Sequence, residues 1–142
     1  MQALAALGIV KTTNYYDTFI TASPDCEAQA GKTPAKEGTI AARQHALLLA
    51  HPYRYTSDDL LFEVYAERQG IETADSEGAR TTFFAKPQAC LRTSPLVGQF
   101  GWGLHHDAEG KVAAYGVETE RYRQLAGDPG LKVAPGMRRK RA

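Results

Sequence analysis

The chain has 142 residues, 43% of them hydrophobic and 23% charged, with a formal net charge of +1. That length suits one domain with a real core, and the near balance of charge excludes a field strong enough to recruit nucleic acid or an anionic membrane. Two cysteines make no disulfide framework, so a reducing, cytoplasmic setting is expected, and no stretch approaches the ~20 apolar residues of a membrane span.

The chain opens with MQALAALGIV, which is apolar but lacks the basic start of a secretory signal. Residues 1–11 read as a loosely attached N-terminal extension, 12–135 as a single α+β domain, and 136–142 as a basic tail. Residues 14–22 alternate, with Tyr16, Thr18 and Ile20 against Tyr15, Asp17 and Phe19, and predict a strand. Ser23-Pro24-Asp25 breaks it. Residues 26–38 hold no large apolar side chain and read as a loop, the most mobile segment of the chain. Thr39 caps a helix over 39–50 with Ile40, Leu47 and Leu48 on its apolar side, and Pro52 stops it.

Residues 60–66 alternate again, Leu60, Phe62 and Val64 against Leu61, Glu63 and Tyr65. They predict a strand, with a helix capped by Ser57 as the competing assignment. Residues 79–85 are ambiguous. Residues 89–93 predict a short strand that puts Cys90 and Arg92 on one face. Ser94-Pro95 starts a brief helical turn that Gly98 ends.

Next comes a hairpin, 101–106 and 111–117 around the loop 107–110, with Gly110 expected at positive φ. Counted as a four-residue loop, it sets His106 opposite Lys111, His105 opposite Val112 and Trp102 opposite Tyr115. The two histidines then point to opposite faces, with His105 expected to be the less exposed. Thr119 caps a last helix over 119–126, closed by Gly127. The expected fold is α+β: a mainly antiparallel sheet of 14–22, 60–66, 89–93, 101–106 and 111–117, with helices 39–50 and 119–126 packed on one face.

Several groups could carry chemistry. A guanidinium at Arg92 would favour the Cys90 thiolate, and His105 could serve as its base. The plainer reading makes Cys90 a small buried hydrophobe. Tyr16, Tyr55, Trp102 and Tyr115 could line a ligand groove, or be half-buried sheet residues. The strand period parts His105 from His106, and neither HExxH nor CxxC occurs, so no metal or cofactor is expected. Asp58 and Asp59 read as turn and capping residues.

Two functions stay open. One is a non-enzymatic module that binds a small ligand or a protein through the aromatic, polar face of the 101–117 hairpin. The other is a small enzyme built on Cys90, Arg92 and His105. Neither involves a membrane, and the short basic run Arg138-Arg139-Lys140-Arg141 is too little to imply nucleic acid.

The segments TTNYYDTFI, HPYRYTSDDLLFEVYA, FFAKPQACLRTSPL, FGWGLHHDAEGKVAAYGVE and DPGLKVAPGMRRKRA together resemble a family of short, uncharacterised, mainly bacterial proteins, known only as a domain of unknown function. The resemblance covers nearly the whole chain from Thr12 onward. It implies a single stand-alone domain and assigns no catalytic or binding residue. The sequence departs from the pattern at Phe100, where the family leads one to expect Tyr before Gly-Trp-Gly, and in its N-terminal extension.

Overall fold

The computed structural model describes residues 12–138, so the N-terminal extension 1–11 and residues 139–142 of the tail lie outside the described residues. In chain order the elements are β1 (Thr18–Thr21), α1 (Ile40–Ala50), α2 (Ser57–Gln69), α3 (Ser76–Phe84), α4 (Pro95–Gly98), β2 (Trp102–His106), β3 (Val112–Gly116), α5 (Glu120–Ala126) and β4 (Lys132–Pro135). The strands form one sheet in the order β3-β2-β1-β4. β1 runs antiparallel to β2 and parallel to β4, and β2 runs antiparallel to β3. The fold is α+β, as the sequence implies.

Capping explains which helices the sequence discloses. The Thr39 hydroxyl accepts from the Ala42 N–H and starts α1, Ser94 starts α4 on Leu96, and Thr119 starts α5 on Tyr122. The expected strand 60–66 is instead the middle of α2. Thr56 and Asp59 form a reciprocal capping box, and Gly70 ends the helix in the left-handed region. The misleading alternation has a packing origin. Leu60 and Val64 face the core one turn apart, while Phe62 turns aside to meet Phe83 of α3, so apolar residues fall on two sides of one helix.

The expected strand 89–93 is also replaced, by a 3-10 turn at Leu91–Thr93. Its N–H groups bond locally, Thr93 to Cys90 and Ser94 to Leu91, so it has no ladder to join. The first strand is shorter than 14–22, because Asp17 takes a positive φ of 47° and turns the chain before Thr18.

The hairpin is present with its register moved by one residue. The Asp107 N–H donates to the Lys111 carbonyl and the Gly110 N–H to the Asp107 carbonyl, and Gly110 sits at φ 82° as expected. The extra residue of that bulge sets His106 opposite Val112, His105 opposite Ala113, and Trp102 opposite Gly116. Tyr115 therefore lies opposite Gly103, on the other face from Trp102.

Helices 39–50 and 119–126 lie on opposite faces of the sheet. On one face Ile20, Leu104 and Val112 pack with Leu48 of α1, Leu60 of α2 and Leu96 of α4 to form the main core. On the other, Phe19 meets Tyr122 of α5 edge-to-face, with ring centroids 5.1 Å apart, over Gly103. Period-2 alternation along β1 and β2 separates the two sets, and the shifted register places Val112 with the main core.

The 26–38 loop is tied to the hairpin: the Trp102 indole donates to the Lys32 carbonyl, the Lys32 N–H to Phe100, and the Gly31 N–H to the Glu118 carboxylate. The tail begins inside the fold. The Gly136 N–H donates to Thr21 and the Met137 N–H to Arg92.

Candidate functional site

Cys90 and Arg92 come together, around a partner the sequence reading passed over. The Tyr15 hydroxyl donates to the Cys90 Sγ at 3.2 Å. Burial, and then the hydrogen bond to Cys90, push the Tyr15 phenol up to about 12, and the Arg92 guanidinium partly opposes them. Arg92 also donates through Nε to the Pro135 carbonyl at 2.8 Å. His105 does not join this group. The histidine on the Tyr15 side is His106, whose ring lies edge-on to Tyr15 at 5.3 Å. His105 projects from the opposite sheet face, so the candidate Cys90–His105 dyad does not form.

The relative burial of the histidines is also the reverse of that expected. His106 is fully buried with its Nδ1 3.2 Å from the Leu104 carbonyl, and His105 is half-buried. Burial, the largest cause, lowers His106 to about 4. His105 is lowered as well, by burial first and then by the Arg121 guanidinium, against the pull of Asp107, Asp128 and Asp17.

His105 belongs to a second cluster. The Tyr53 hydroxyl lies 2.8 Å from His105 Nδ1 and 2.8 Å from the Tyr115 hydroxyl. Burial, followed by the contact with Tyr115, raises the Tyr53 phenol well above its usual range. It therefore stays protonated and donates one of the two contacts while accepting the other when Tyr115 or His105 donates. Tyr53 has φ 60°, an uncommon value for a bulky residue. Its backbone N–H donates to Val112, and Val112 donates to Tyr55, so residues 53–56 close the outer edge of β3. The cluster fastens this segment to the sheet, and neighbouring interactions hold the left-handed turn in place.

The four aromatic residues expected to share a groove occupy separate places. Tyr16 is exposed beside Gly110. Tyr55 packs on the main core, near His51. Trp102 lies under the 26–38 loop against His45, and Tyr115 joins Tyr53 on the far face.

What Cys90 does line is a cavity of about 660 Å³ between α1, α2, α3 and residues 88–95. Its walls include Leu61, Val64, Phe83 and Leu91, and its polar groups include Gln44, Gln88 and Ser94. The volume falls within the roughly 300–1,000 Å³ of small-molecule sites. The Ser94 hydroxyl donates to the Gln44 side chain at 2.8 Å, which satisfies two buried polar groups at its floor. Two large apolar residues stand exposed at its rim, Ile40 at 50% and Tyr65 at 36%.

The outer wall is α3, which buries none of its residues. It is held by Phe83 against Tyr65, with centroids 4.5 Å apart, and by Arg80, which pairs with Asp59 at 2.9 Å and lies over Phe62 and Phe84. Asp59 thus closes the capping box and pairs with Arg80, while Asp58 accepts from Thr12 and Thr13. Both carboxylates do structural work.

The sequence reading missed the cavity because its lining comes from residues 40 to 95 and depends on 60–66 being helical. The available signal was the capping pattern Thr56-x-x-Asp59 before an apolar run. Residues 10–142 match the model of a family described as Family of unknown function (DUF6157). No curated protein and no solved structure matches the chain.

Proposed function

The chain belongs to this family of unknown function, and we propose that it is a small-molecule-binding module of the cytoplasm whose ligand occupies the cavity between α1, α2, α3 and residues 88–95. One observation carries the reading: a cavity of about 660 Å³ with apolar walls, a few polar groups on its floor and exposed apolar residues at its rim. The binding class expected from the sequence is kept and its place is moved, because the hairpin aromatics do not converge. Two free cysteines fit a reducing compartment, and no helix among the described residues is long and apolar enough to cross a membrane.

A second reading, thiol chemistry, is favoured by the hydrogen bond from Tyr15 to Cys90 at the cavity wall. It needs a base other than His105.

The test uses Cys90 as a reporter. In the Cys26→Ser protein, apolar compounds of metabolite size that raise the melting temperature are expected to slow alkylation of Cys90 by iodoacetamide. Ala89 is exposed and lines the cavity, so Ala89→Trp fills the space without disturbing the core and is expected to abolish both effects. Compounds that stabilise the Ala89→Trp variant as well as the parent would put the ligand elsewhere and overturn the reading. Rapid alkylation at neutral pH that Tyr15→Phe abolishes would favour thiol chemistry instead.

A further inference from the structure

We infer that the cavity selects an amphipathic carboxylate, a small molecule with one anionic head and an unbranched or aromatic apolar body; the inference rests on the cavity's being a ligand site. Charge carries it. The lining contains Arg68 and Lys86 and no aspartate or glutamate. Arg68, in the last turn of α2, donates through its guanidinium to the Gly38 carbonyl, an uncharged acceptor that leaves its charge unneutralised. Among the described residues the ion pairs are Arg43–Glu67, Arg80–Asp59 and Arg123–Glu120, so neither Arg68 nor Lys86 has a carboxylate partner. Two carboxylates of α2 are engaged elsewhere. Glu67 faces Arg43 at 2.7 Å, and Asp59 faces Arg80.

Two cations beside an apolar chamber repel an ammonium and attract a carboxylate. The apolar part has its own match in Leu61, Val64, Phe83 and Leu91, where each added methylene is removed from water. Gln88 does not compete for the head, because its side-chain amide already donates to the Phe83 carbonyl at 2.7 Å. The head is therefore held at the rim and the body points inward, the orientation in which an amphiphile desolvates least charge.

The test is calorimetric titration of the full chain with octanoate, 1-octanol and octylammonium. Octanoate is expected to bind about tenfold tighter than 1-octanol, as one charge contact at a screened rim allows, with octylammonium weakest. Affinity is expected to rise about fourfold per methylene from hexanoate to octanoate. Added salt should shrink the preference for the carboxylate. In the Arg68→Gln/Lys86→Gln variant the ratio of octanoate to octanol affinity should fall to about one, while octanol still binds.

Equal binding of octanoate and octanol by the parent chain, abolished by Ala89→Trp, would overturn the charge selection and leave the binding module standing. A carboxylate preference that survives the double substitution would overturn the role of these two cations. Absence of binding by all three probes would overturn the inference, while the reading beneath it falls only if compounds that stabilise the parent stabilise Ala89→Trp equally.

Discussion

Adjacent histidines in one strand meet different fates, and pH separates them. His106 lies between Thr18 and Val112 in the ladder, beneath Tyr15, and its folded pKa of about 4 stands below the ordinary 6.5. Between those values the unfolded chain binds a proton that the folded chain does not. Folding is therefore unpenalised above about pH 6.5, and stability is lost as pH falls toward 4, by up to about 3 kcal/mol for this residue. His45 and His105 are lowered too and act with the same sign. Urea unfolding is expected to give a lower midpoint at pH 5 than at pH 7.5, and His106→Phe should reduce that difference. An unchanged difference in the variant would mean that His106 is not the group that resists protonation. At this scale the sequence was legible where alternation decides: the histidines do point apart. Tyr15 and Tyr53 were not, because the partners of each lie more than fifty residues away, and no local pattern announces them.

At the level of elements, caps read true and alternation misled. Thr39, Ser94 and Thr119 each start a helix where their side chains suggest, since a hydroxyl before an apolar run satisfies N–H groups that would otherwise be orphaned. Residues 60–66 defeat a strand-or-helix choice made from period alone, because α2 is buried on two sides. The hairpin turn was legible in Gly110, yet its bulge shifts every pairing by one residue, and that shift moves Tyr115 to the face of His105. Gly103 shows how tightly the far face is packed. A Cβ there would collide with the Phe19 ring and come within 2.6 Å of Tyr122. Gly103→Ala is expected to destabilise the fold by about 1–3 kcal/mol, the range for overpacking a filled site. A denaturation midpoint equal to that of the parent would show that α5 can move off the sheet at little cost.

For the whole molecule, the class α+β was legible because composition, caps and one hairpin suffice for it. The site was not, because it is a product of assembly. α1 supplies the floor, α2 and α3 the side walls, and residues 88–95 the remaining edge. With 60–66 as a strand, the wall formed by Leu61, Val64 and Tyr65 would not exist. The same assembly places Cys90 by the cavity and His105 across the sheet, so the two residues of the alternative, enzymatic reading lie in unrelated environments. The central claim is that this cavity, and not the hairpin face, holds the ligand. A two-dimensional amide and side-chain NMR titration with octanoate tests it most directly. Shifts are expected for Gln44, Leu61, Phe83, Gln88, Cys90 and Leu91, with His105, Ala113 and Tyr115 unmoved. Shifts centred on the 101–117 hairpin, with the cavity residues unmoved, would contradict it.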